Sequence, residues 1–461
     1  MALNVVKISR VSVATDLADP LLLPLTFFDL IWLKLHPTER VTFYKLNESS
    51  RDYFYSVILP KLEWSLSTVL THFLPLSGHL KWNPQDPKPH IVVLPQDTVS
   101  LTVADTDADF SRISGKGLRP DIELRGLVPV LSVSSDSASL LSLQITFFPN
   151  QGFCIGTTVH HVAMDGKTAA KFHKAWAHIC KHGTIPQDFQ LPTLLDRTVI
   201  NIPAGLVPKI FELLPYLSEE KETARSLTLP PTKEISDDVV RITLELTQEN
   251  VEKLKERAKK DLTRCDLHLS TFVVTYAYVW TCAVKARGGD EDRLVRFLYA
   301  ADFRDRLDPP VPVTYLGNCV LPIDLYGYKA KTFLGEDGFV NGVEIVSDSV
   351  KGLGSLGVES IWEVYEEGTK MMEFGTQMLS VTGSTQFGIY GSDFGWGRPV
   401  NTEVMSIYKN DEFSISKRRD ETGGVEIGVC LKKCEMSVFL SLFTKGLDGC
   451  KKMNSKSIHL Q

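Results

Sequence analysis

Two adjacent histidines end an apolar run, and an aspartate and a glycine follow within a few residues. The stretch reads TTVHHVAMDGK, so His161 is followed four residues later by Asp165 and then by Gly166. A neutral histidine can remove a proton near neutral pH, and a carboxylate can fix its tautomer and orientation. The same spacing also suits a pair of metal ligands or two structural residues. The spacing alone leaves these three interpretations open.

The segments around this pair predict a strand that leads directly into a helix. Residues 138–159 contain two apolar stretches on either side of Pro149-Asn150-Gln151-Gly152, which predicts a β-hairpin. After Gly166, apolar side chains recur at helical spacing, at Ala169, Phe172, Trp176 and Ile179. The histidines are therefore expected at a strand end and Asp165 just before a helix. Gly166 would permit the backbone geometry of the turn between them.

A second candidate motif lies near the C-terminus. Residues 390–399 read YGSDFGWGRP, in which Asp393 precedes two glycines that flank Trp396. Glycines placed in this way favour a tight backbone path close to another surface or to a ligand. An ordinary glycine-rich turn is the alternative interpretation.

Composition limits the classes of function. The chain has 461 residues, with 50 basic against 56 acidic side chains and a formal net charge of −6, which argues against a nucleic-acid binder. The sequence shows neither a secretory signal nor an apolar run near the ~20 residues that span a bilayer, so no membrane partner is expected. The eight cysteines form no CxxC pair, which predicts reduced, mostly buried thiols in a cytosolic protein.

The order of predicted elements favours an α+β protein with two domains. Seven prolines between residues 181 and 236 predict a long crossover, with some helix around LVPKIFELL. This places an N-terminal domain at 1–180 and a C-terminal domain at 237–461. The latter is expected to hold a strand at 239–246, a following helix with Thr247 as its N-cap, a buried helix from Ser270, and a final strand and helix. Hairpin signals make the strands of both halves look antiparallel.

Taken together, the two motifs resemble those of the BAHD acyltransferases, plant enzymes that move acyl groups from CoA thioesters to alcohols or amines. Residues 161–166 match the family motif HxxxDG, and Asp393, Phe394, Gly395, Trp396 and Gly397 match DFGWG in full. Further matches span the chain at LPLTFFD (23–29), FLPLSGHL (73–80), FFPNQGF (147–153), LDRT (195–198) and AADFRDR (300–306).

The branch of the family is indicated by two of these segments. LPLTFFD and TYLGNCV (314–320) look like those of the anthocyanin and phenolic-glucoside acyltransferases, except that Leu316 stands where that clade usually has phenylalanine. The resemblance implies malonyl transfer from malonyl-CoA to a sugar hydroxyl of phenolic or flavonoid glucosides. Hydroxycinnamoyl (coumaroyl) transfer to anthocyanin glycosides is the alternative. A non-catalytic ligand-binding relative and a zinc-dependent hydrolase are more remote alternatives.

The resemblance also implies a fold and a mechanism. It implies two chloramphenicol-acetyltransferase-like domains, joined by a long crossover loop, with a channel between them. His161 would be the general base, and Asp165 would orient the site by pairing with an arginine, for which Arg304 is the candidate. Asp393 could be a second acid or base, although a structural role near the channel in the C-terminal domain fits better. No metal, permanently bound cofactor or acyl-enzyme is expected, and the protein is expected to be a monomer.

Contacts to CoA follow from the resemblance and from charge. Ser270 and Thr271 align with family positions that contact CoA, and helix starts suit phosphate groups. Lys259, Lys260 and Arg264 lie just upstream and could meet the phosphates, or they could form an ordinary solvated face.

Two further cations are candidates for the donor side of the site. Arg40 precedes the predicted strand VTFYKL and is a candidate donor contact. Lys167 lies six residues after His161 and could receive the free carboxylate of a malonyl group, which a coumaroyl group lacks. A surface lysine without a partner is the alternative for Lys167.

Overall fold

The computed structural model describes residues 2–15, 17–185, 190–218, 225–232, 235–261, 264 and 266–454. The strands in chain order are Asn4–Ser12 (β1), Leu21–Pro24 (β2), Thr38–Lys45 (β3), His79–Lys81 (β4), His90–Val93 (β5), Thr98–Asp105 (β6), Arg119–Pro120 (β7), Ser137–Ser139 (β8), Leu141–Phe148 (β9), Gly152–Val159 (β10), Val239–Leu246 (β11), Leu294–Asp302 (β12), Val320–Lys329 (β13), Gln377–Ser384 (β14), Asn401–Val404 (β15), Glu412–Lys417 (β16) and Val425–Lys432 (β17).

The helices alternate with these strands along the chain. They are Phe27–Leu30 (α1), Arg51–Tyr53 (α2), Leu59–Leu70 (α3), Phe110–Ile113 (α4), Ile122–Arg125 (α5), Gly166–His182 (α6), Leu206–Leu213 (α7), Gln248–Asp261 (α8), Thr271–Arg287 (α9), Lys331–Leu334 (α10), Gly338–Gly352 (α11), Val358–Lys370 (α12) and Lys433–Asn454 (α13). Over the described ranges, none of these helices is long and apolar enough to cross a membrane.

The strands form three sheets. Their orders are β1-β6-β9-β10-β3-β15, β13-β12-β14-β16-β17-β11-β7 and β2-β5-β4-β8. The expected α+β class is confirmed. The expectation of antiparallel strands is only partly correct, since β6 pairs with β9, β12 with β14 and β14 with β16 in parallel. Parallel neighbours are joined by long connections, so no turn signal in the sequence reveals their pairing.

The predicted hairpin before the histidines is confirmed. In β9 and β10, Phe148 pairs with Gly152 and Leu141 with Val159, and both strands are buried along their whole length. Asn150 adopts a φ of 60° in the turn between them. Just beyond the last strand pair, the backbone N of His160 donates a hydrogen bond to the carbonyl of Leu140 at 3.0 Å. The histidine pair therefore directly follows a strand that is buried along its whole length.

Each half of the chain contributes one strand to the sheet of the other half. β15, from the C-terminal half, pairs with β3, and the two-residue strand β7 pairs with β11. A buried ion pair between Arg119 and Glu403, at 2.6 Å, joins the two exchanged segments. The boundaries at 180 and 236 stay a prediction, and α6 continues two residues past the first of them, to His182.

The helices expected from the sequence are present. α6 packs on α3, where Trp176 is fully buried and donates from Nε1 to the carbonyl of Leu62 at 3.2 Å. α9 packs against α8, α11 and α13, and nearly all of its residues are buried, as its apolar sequence predicts. Among the described cysteines, the buried ones are Cys154, Cys180, Cys282, Cys319 and Cys430, whereas Cys434 is exposed.

Candidate active site

His161 lies in a short turn between the buried strand β10 and helix α6. A single 3₁₀ turn spans His161–Ala163, and the ring of His160 accepts from the backbone N of Val162 at 3.4 Å. His160 is completely buried, and burial together with the neighbouring His161 lowers its pKa to about 4. His160 is therefore neutral at physiological pH and supports the turn.

Asp165 caps helix α6 and turns away from the imidazole of His161. Its Oδ1 accepts from the backbone N of Thr168 at 3.0 Å, and its Oδ2 accepts from Arg304 at 2.7 Å and from the backbone N of Cys319 at 3.2 Å. The expected ion pair with Arg304 is thus present, with side chains only 1% and 5% exposed. Both carboxylate oxygens are occupied, so Asp165 fixes the loop instead of the ring.

Arg304 links this carboxylate to a second one. It donates from Nη1 to Asp302 at 3.1 Å, in addition to its bond to Asp165. Burial alone would lower the pKa of Arg304, but the charges of Asp165 and Asp302 outweigh it and raise that pKa. The arginine is a permanent cation beneath the His161 loop.

Position 166 has no room for a side chain. A Cβ at this position would lie 2.6 Å from the ring of Phe387, which comes from the C-terminal half of the chain. Its φ is not among the positive values, so the expectation that Gly166 serves backbone geometry is wrong. The glycine instead allows the start of α6 to approach Phe387 closely.

The imidazole of His161 lies against an indole and is largely enclosed. Its ring centroid is 4.5 Å from that of Trp32. Burial lowers the pKa of His161, and the charge of Asp165 partly opposes that shift. The ring is therefore neutral near pH 7, as a general base must be.

Asn318 and Asp29 hold the His161 turn, and the sequence analysis assigned no role to either residue. The Nδ2 of Asn318 donates to the backbone carbonyl of His161 at 2.9 Å and to Asp29 at 3.0 Å. Both residues are fully buried. Each lies in a segment already matched to the family, Asp29 at the end of LPLTFFD and Asn318 within TYLGNCV. These matches are the signal that could have found them.

Asp393 does not lie with His161. Its Oδ1 accepts from the backbone N of Gly395 at 2.8 Å and of Gly397 at 2.9 Å, while Oδ2 pairs with Lys181 at 2.7 Å. Lys181 is in the last turn of α6, roughly 24 Å along the helix from Asp165 at about 1.5 Å per residue. The geometry therefore contradicts a second acid or base role for Asp393 at His161, and it shows a structural carboxylate.

The remainder of the DFGWG segment packs on the N-terminal half. Phe394 is buried, with its ring centroid 5.0 Å from that of Trp176 in α6 and 5.4 Å from that of Tyr44 in β3. Lys61 of α3 lies over the ring of Trp396 at 5.5 Å. The expectation that this motif shapes the C-terminal domain is therefore corrected, because its aromatic side chains attach the segment to the opposite half.

The candidate CoA contacts fall at the start of α9 and the end of α8. Ser270 caps α9 by accepting from the backbone N of Val273 at 3.3 Å, and Thr271 is partly exposed beside it. Lys259 and Lys260 are exposed in the last turn of α8. The fifth candidate is already paired, as Arg264 donates to Asp266 and Asp348.

The two remaining cations also have partners. Arg40 donates to Thr402 at 3.2 Å, and burial lowers its pKa to about 10. Lys167 pairs with Asp302 at 3.0 Å, with side chains 44% and 38% exposed. A malonyl carboxylate at Lys167 would therefore compete with Asp302, which also accepts from Arg304.

Comparison with known proteins places this chain in a family. The sequence profile described as the Transferase family matches residues 2–445. A BAHD acyltransferase of Arabidopsis thaliana is 76% identical over 97% of this chain and 99% of the relative. The chain belongs to the BAHD acyltransferase family. It is an acyltransferase.

Two relatives carry more specific names. The agmatine coumaroyltransferase of Arabidopsis thaliana is 70% identical over 96% of this chain and 99% of the relative. The phenolic glucoside malonyltransferase 2 of the same plant is 50% identical over 97% of this chain and 100% of the relative. Among solved structures, vinorine synthase matches with a TM-score of 0.71 and 20% identity, covering 96% of this chain and 98% of that one. That likeness supports the fold alone.

Proposed function

We propose that His161 is the general base in the transfer of an acyl group from a CoA thioester to an acceptor. The supporting observation is its geometry, a neutral, enclosed imidazole on a turn fixed by Asn318, with Asp165 bonded elsewhere. His161 removes the proton of the acceptor nucleophile, which attacks the thioester carbonyl. The tetrahedral oxyanion then collapses and expels the CoA thiolate, which takes the proton from the imidazolium and leaves as the free thiol of CoA.

Both substrates are bound together in this mechanism, since no acyl-enzyme is formed. Cys319 lies beside the site, since its backbone N donates to Asp165 at 3.2 Å. Burial raises the pKa of the Cys319 thiol to about 12, so it does not supply a thiolate nucleophile at neutral pH. A ternary complex within a channel between the two halves is therefore the mechanism we propose.

For the acyl group and the acceptor, we propose malonyl transfer from malonyl-CoA to a sugar hydroxyl of phenolic or flavonoid glucosides. Relatives named as phenolic glucoside or anthocyanidin 5-O-glucoside malonyltransferases, at 46% to 50% identity, support this assignment. CoA would meet the start of α9 at Ser270 and Thr271, with Arg40, Lys259 and Lys260 as cationic contacts. Lys167 would receive the malonyl carboxylate.

A second candidate is transfer of a hydroxycinnamoyl group, and one observation favours it. The relative named agmatine coumaroyltransferase, at 70% identity, is more similar in sequence than the named malonyltransferases. In that case a basic amine is the acceptor, besides the anthocyanin glycosides expected from the sequence. His161 would remove a proton from the amine nitrogen in the same way.

The first test measures CoA release from malonyl-, coumaroyl- and acetyl-CoA, each with a flavonoid 7-glucoside, a naphthol glucoside and agmatine. Wild type is compared with His161→Ala, and with His182→Ala at the exposed end of the same helix as a matched control. We expect the His161 variant to lose about 10²- to 10⁴-fold in kcat and the control to lose little. Turnover only with coumaroyl-CoA would select the second candidate. Full activity of His161→Ala would refute the general base.

The donor preference is tested through Lys167→Ala. Because Lys167 is half exposed and already paired, we expect roughly a two- to fivefold rise in the KM for malonyl-CoA and an unchanged KM for coumaroyl-CoA. Lys171→Ala, one turn further along α6, is the matched control. Equal effects of Lys167→Ala on both donors would contradict a malonyl contact.

We further propose that the protein acts as a monomer in the cytosol. The buried free thiols among the described cysteines support a reducing compartment. Light scattering on the purified protein tests the first point, where a dimer mass would overturn it. Imaging of a fluorescent fusion tests the second point.

A further inference from the structure

Asn318 lies between the backbone of the His161 turn and a buried carboxylate. Its Nδ2 donates to Asp29 Oδ1 at 3.0 Å and to the carbonyls of His161 and Val162 at 2.9 and 3.2 Å. The backbone N of Asn318 donates to the same Asp29 oxygen at 3.1 Å. All three partners of Nδ2 are acceptors, so only the amide nitrogen can face them. The Oδ1 atom of Asn318 must then face the opposite side.

Two enclosed atoms of this cluster have no hydrogen bond within the described part of the chain. They are Oδ1 of Asn318, which can only accept, and Nδ1 of His161, which is a donor in one tautomer. Buried polar atoms are nearly always paired, and these two are complementary atoms on residues that already share the bond from Asn318 Nδ2 to the carbonyl of His161. Burial lowers the pKa of His161. The charge of Asp165, the backbone of His161 itself and the Asn318 side chain oppose that shift, in decreasing order, so both the amide and the His161 backbone interact with the ring.

We infer that Asn318 is a positioning residue for His161, and that its Oδ1 accepts a hydrogen bond from Nδ1–H of the imidazole. Nε2 is then the unprotonated nitrogen that faces the substrates. This is the task that a carboxylate performs in a Ser-His-Asp triad, and Asp165 cannot perform it because both of its oxygens are occupied.

Asp29 completes the arrangement by fixing the amide. Its Oδ2 accepts from the backbone N and the hydroxyl of Thr26, at 2.9 and 2.7 Å, which holds the carboxylate in place. Its Oδ1 then receives both donors of Asn318. An amide held in this way cannot exchange its oxygen for its nitrogen, so the acceptor always faces the ring.

The tautomer can be measured on the free protein. Two-bond ¹H–¹⁵N correlation spectra of the histidine rings would be recorded for wild type, for His161→Gln to assign the signals, and for Asn318→Leu and Asn318→Ala. We expect His161 to carry its proton on Nδ1 in wild type and to shift toward the Nε2–H form in either Asn318 variant. A wild-type Nε2–H tautomer would overturn the inference. An unchanged Nδ1–H tautomer in the folded variants would also overturn it, because the acceptor would then be the backbone carbonyl of His161.

Kinetics supplies a second readout, which rests on the proposed function. We expect Asn318→Leu to lower kcat by about 10- to 100-fold, less than loss of the base, with the KM for the acyl-CoA within about twofold. The acid limb of the pH profile should also move to lower pH, as a raising influence on the His161 pKa is removed. A pure loss of stability would leave the pH profile unchanged and would refute positioning.

The matched control is Gln144→Leu, which removes another buried amide. Gln144 donates to the carbonyl of Gly126 at 2.7 Å and lies on β9, away from His161. We expect it to lose stability without a change in the pH profile or in the His161 tautomer. Absence of turnover by wild type would refute the proposed function but not the tautomer, so the two failures can be told apart.

Discussion

At the N-terminal end of α6, Asp165 pairs with Arg304 and both side chains are enclosed, whereas at the C-terminal end Asp393 pairs with Lys181 and both side chains reach solvent. Each aspartate also accepts backbone N–H groups, two per carboxylate. A buried charge that loses its partner is costly, while an exposed pair contributes little. Two motif aspartates of similar local chemistry therefore differ chiefly in how much stability their removal would cost.

The largest expected effect is at the enclosed pair. Arg304→Ala leaves the Asp165 carboxylate buried without its cation and should lower the free energy of unfolding by about 3–5 kcal/mol. Lys181→Met at the exposed pair should cost at most about 1 kcal/mol. Urea unfolding of both variants measures the difference. Equal losses of unfolding free energy in the two variants would show that the difference in burial does not make one ion pair more important for stability than the other.

Asp393→Ala tests the role of the carboxylate at the solvent-exposed, C-terminal end of α6. This variant frees the backbone N–H groups of Gly395 and Gly397 and should cost about 1–3 kcal/mol of unfolding free energy. Asp393 pairs with Lys181, at the opposite end of α6 from the His161 turn. We therefore expect kcat of the folded variant to stay within about threefold of wild type. A fall in kcat comparable to that of His161→Ala would restore the second acid or base role.

Glycine is needed for different physical reasons at the two ends of α6. Gly166→Ala collides with the ring of Phe387 and should cost about 1–3 kcal/mol, and Phe387→Leu in the same chain should recover part of that loss. Gly397 has a φ of 106° and open space around it, so Gly397→Ala should cost about 1–2 kcal/mol. No change in a neighbouring side chain should rescue it. A double-mutant cycle on Gly166 and Phe387 that shows no coupling would contradict the steric reason.

His173, between the two ends of α6, makes the stability of the protein depend on pH. Burial, and secondarily the charge of Arg40, lower the pKa of His173 to about 3. Between its ordinary value of 6.5 and this lowered pKa, the unfolded chain binds a proton that the folded protein does not. Stability is therefore full above pH 6.5 and falls on acidification, with a contribution from His173 of up to about 1.4 kcal/mol per pH unit.

Urea unfolding at pH 7, 6 and 5 measures this slope. His173→Asn should flatten it by the contribution of that one group, while His182→Gln at the exposed end of α6 should leave it unchanged. An identical slope in wild type and His173→Asn would show that the ring is not held neutral in the fold.

The sequence predicts those features that local chemistry determines. The hairpin before His160, the start of α6 at Gly166, the cap of α9 at Ser270 and the partner of Asp165 are all found as expected. Turn residues, helix caps and apolar periodicity act over a few residues, and a family motif supplied Arg304.

Long-range pairing could not be predicted in the same way. Strand β7 has only two residues and therefore no periodicity, and Arg119 and Glu403 are 284 positions apart. The attachment of Phe394 to Trp176 depends on tertiary packing that no local pattern records. Asn318 and Asp29 lie in motifs noticed for their resemblance, but their convergence on His161 required coordinates.

The exchanged strand β15 has a consequence for the chain during translation. Until residue 404 leaves the ribosome, β3 is the outer strand of an unfinished sheet, with unpaired backbone groups along one side. The open edge lasts from the end of β10, at residue 159, to residue 404, and at about 5–20 residues per second these 245 residues (404 − 159) take roughly 12–50 s. An open β edge of that duration invites pairing with other nascent chains. Chaperone occupancy of ribosome-bound intermediates should therefore persist until the last 57 residues of synthesis (461 − 404), about the final eighth, and then fall abruptly.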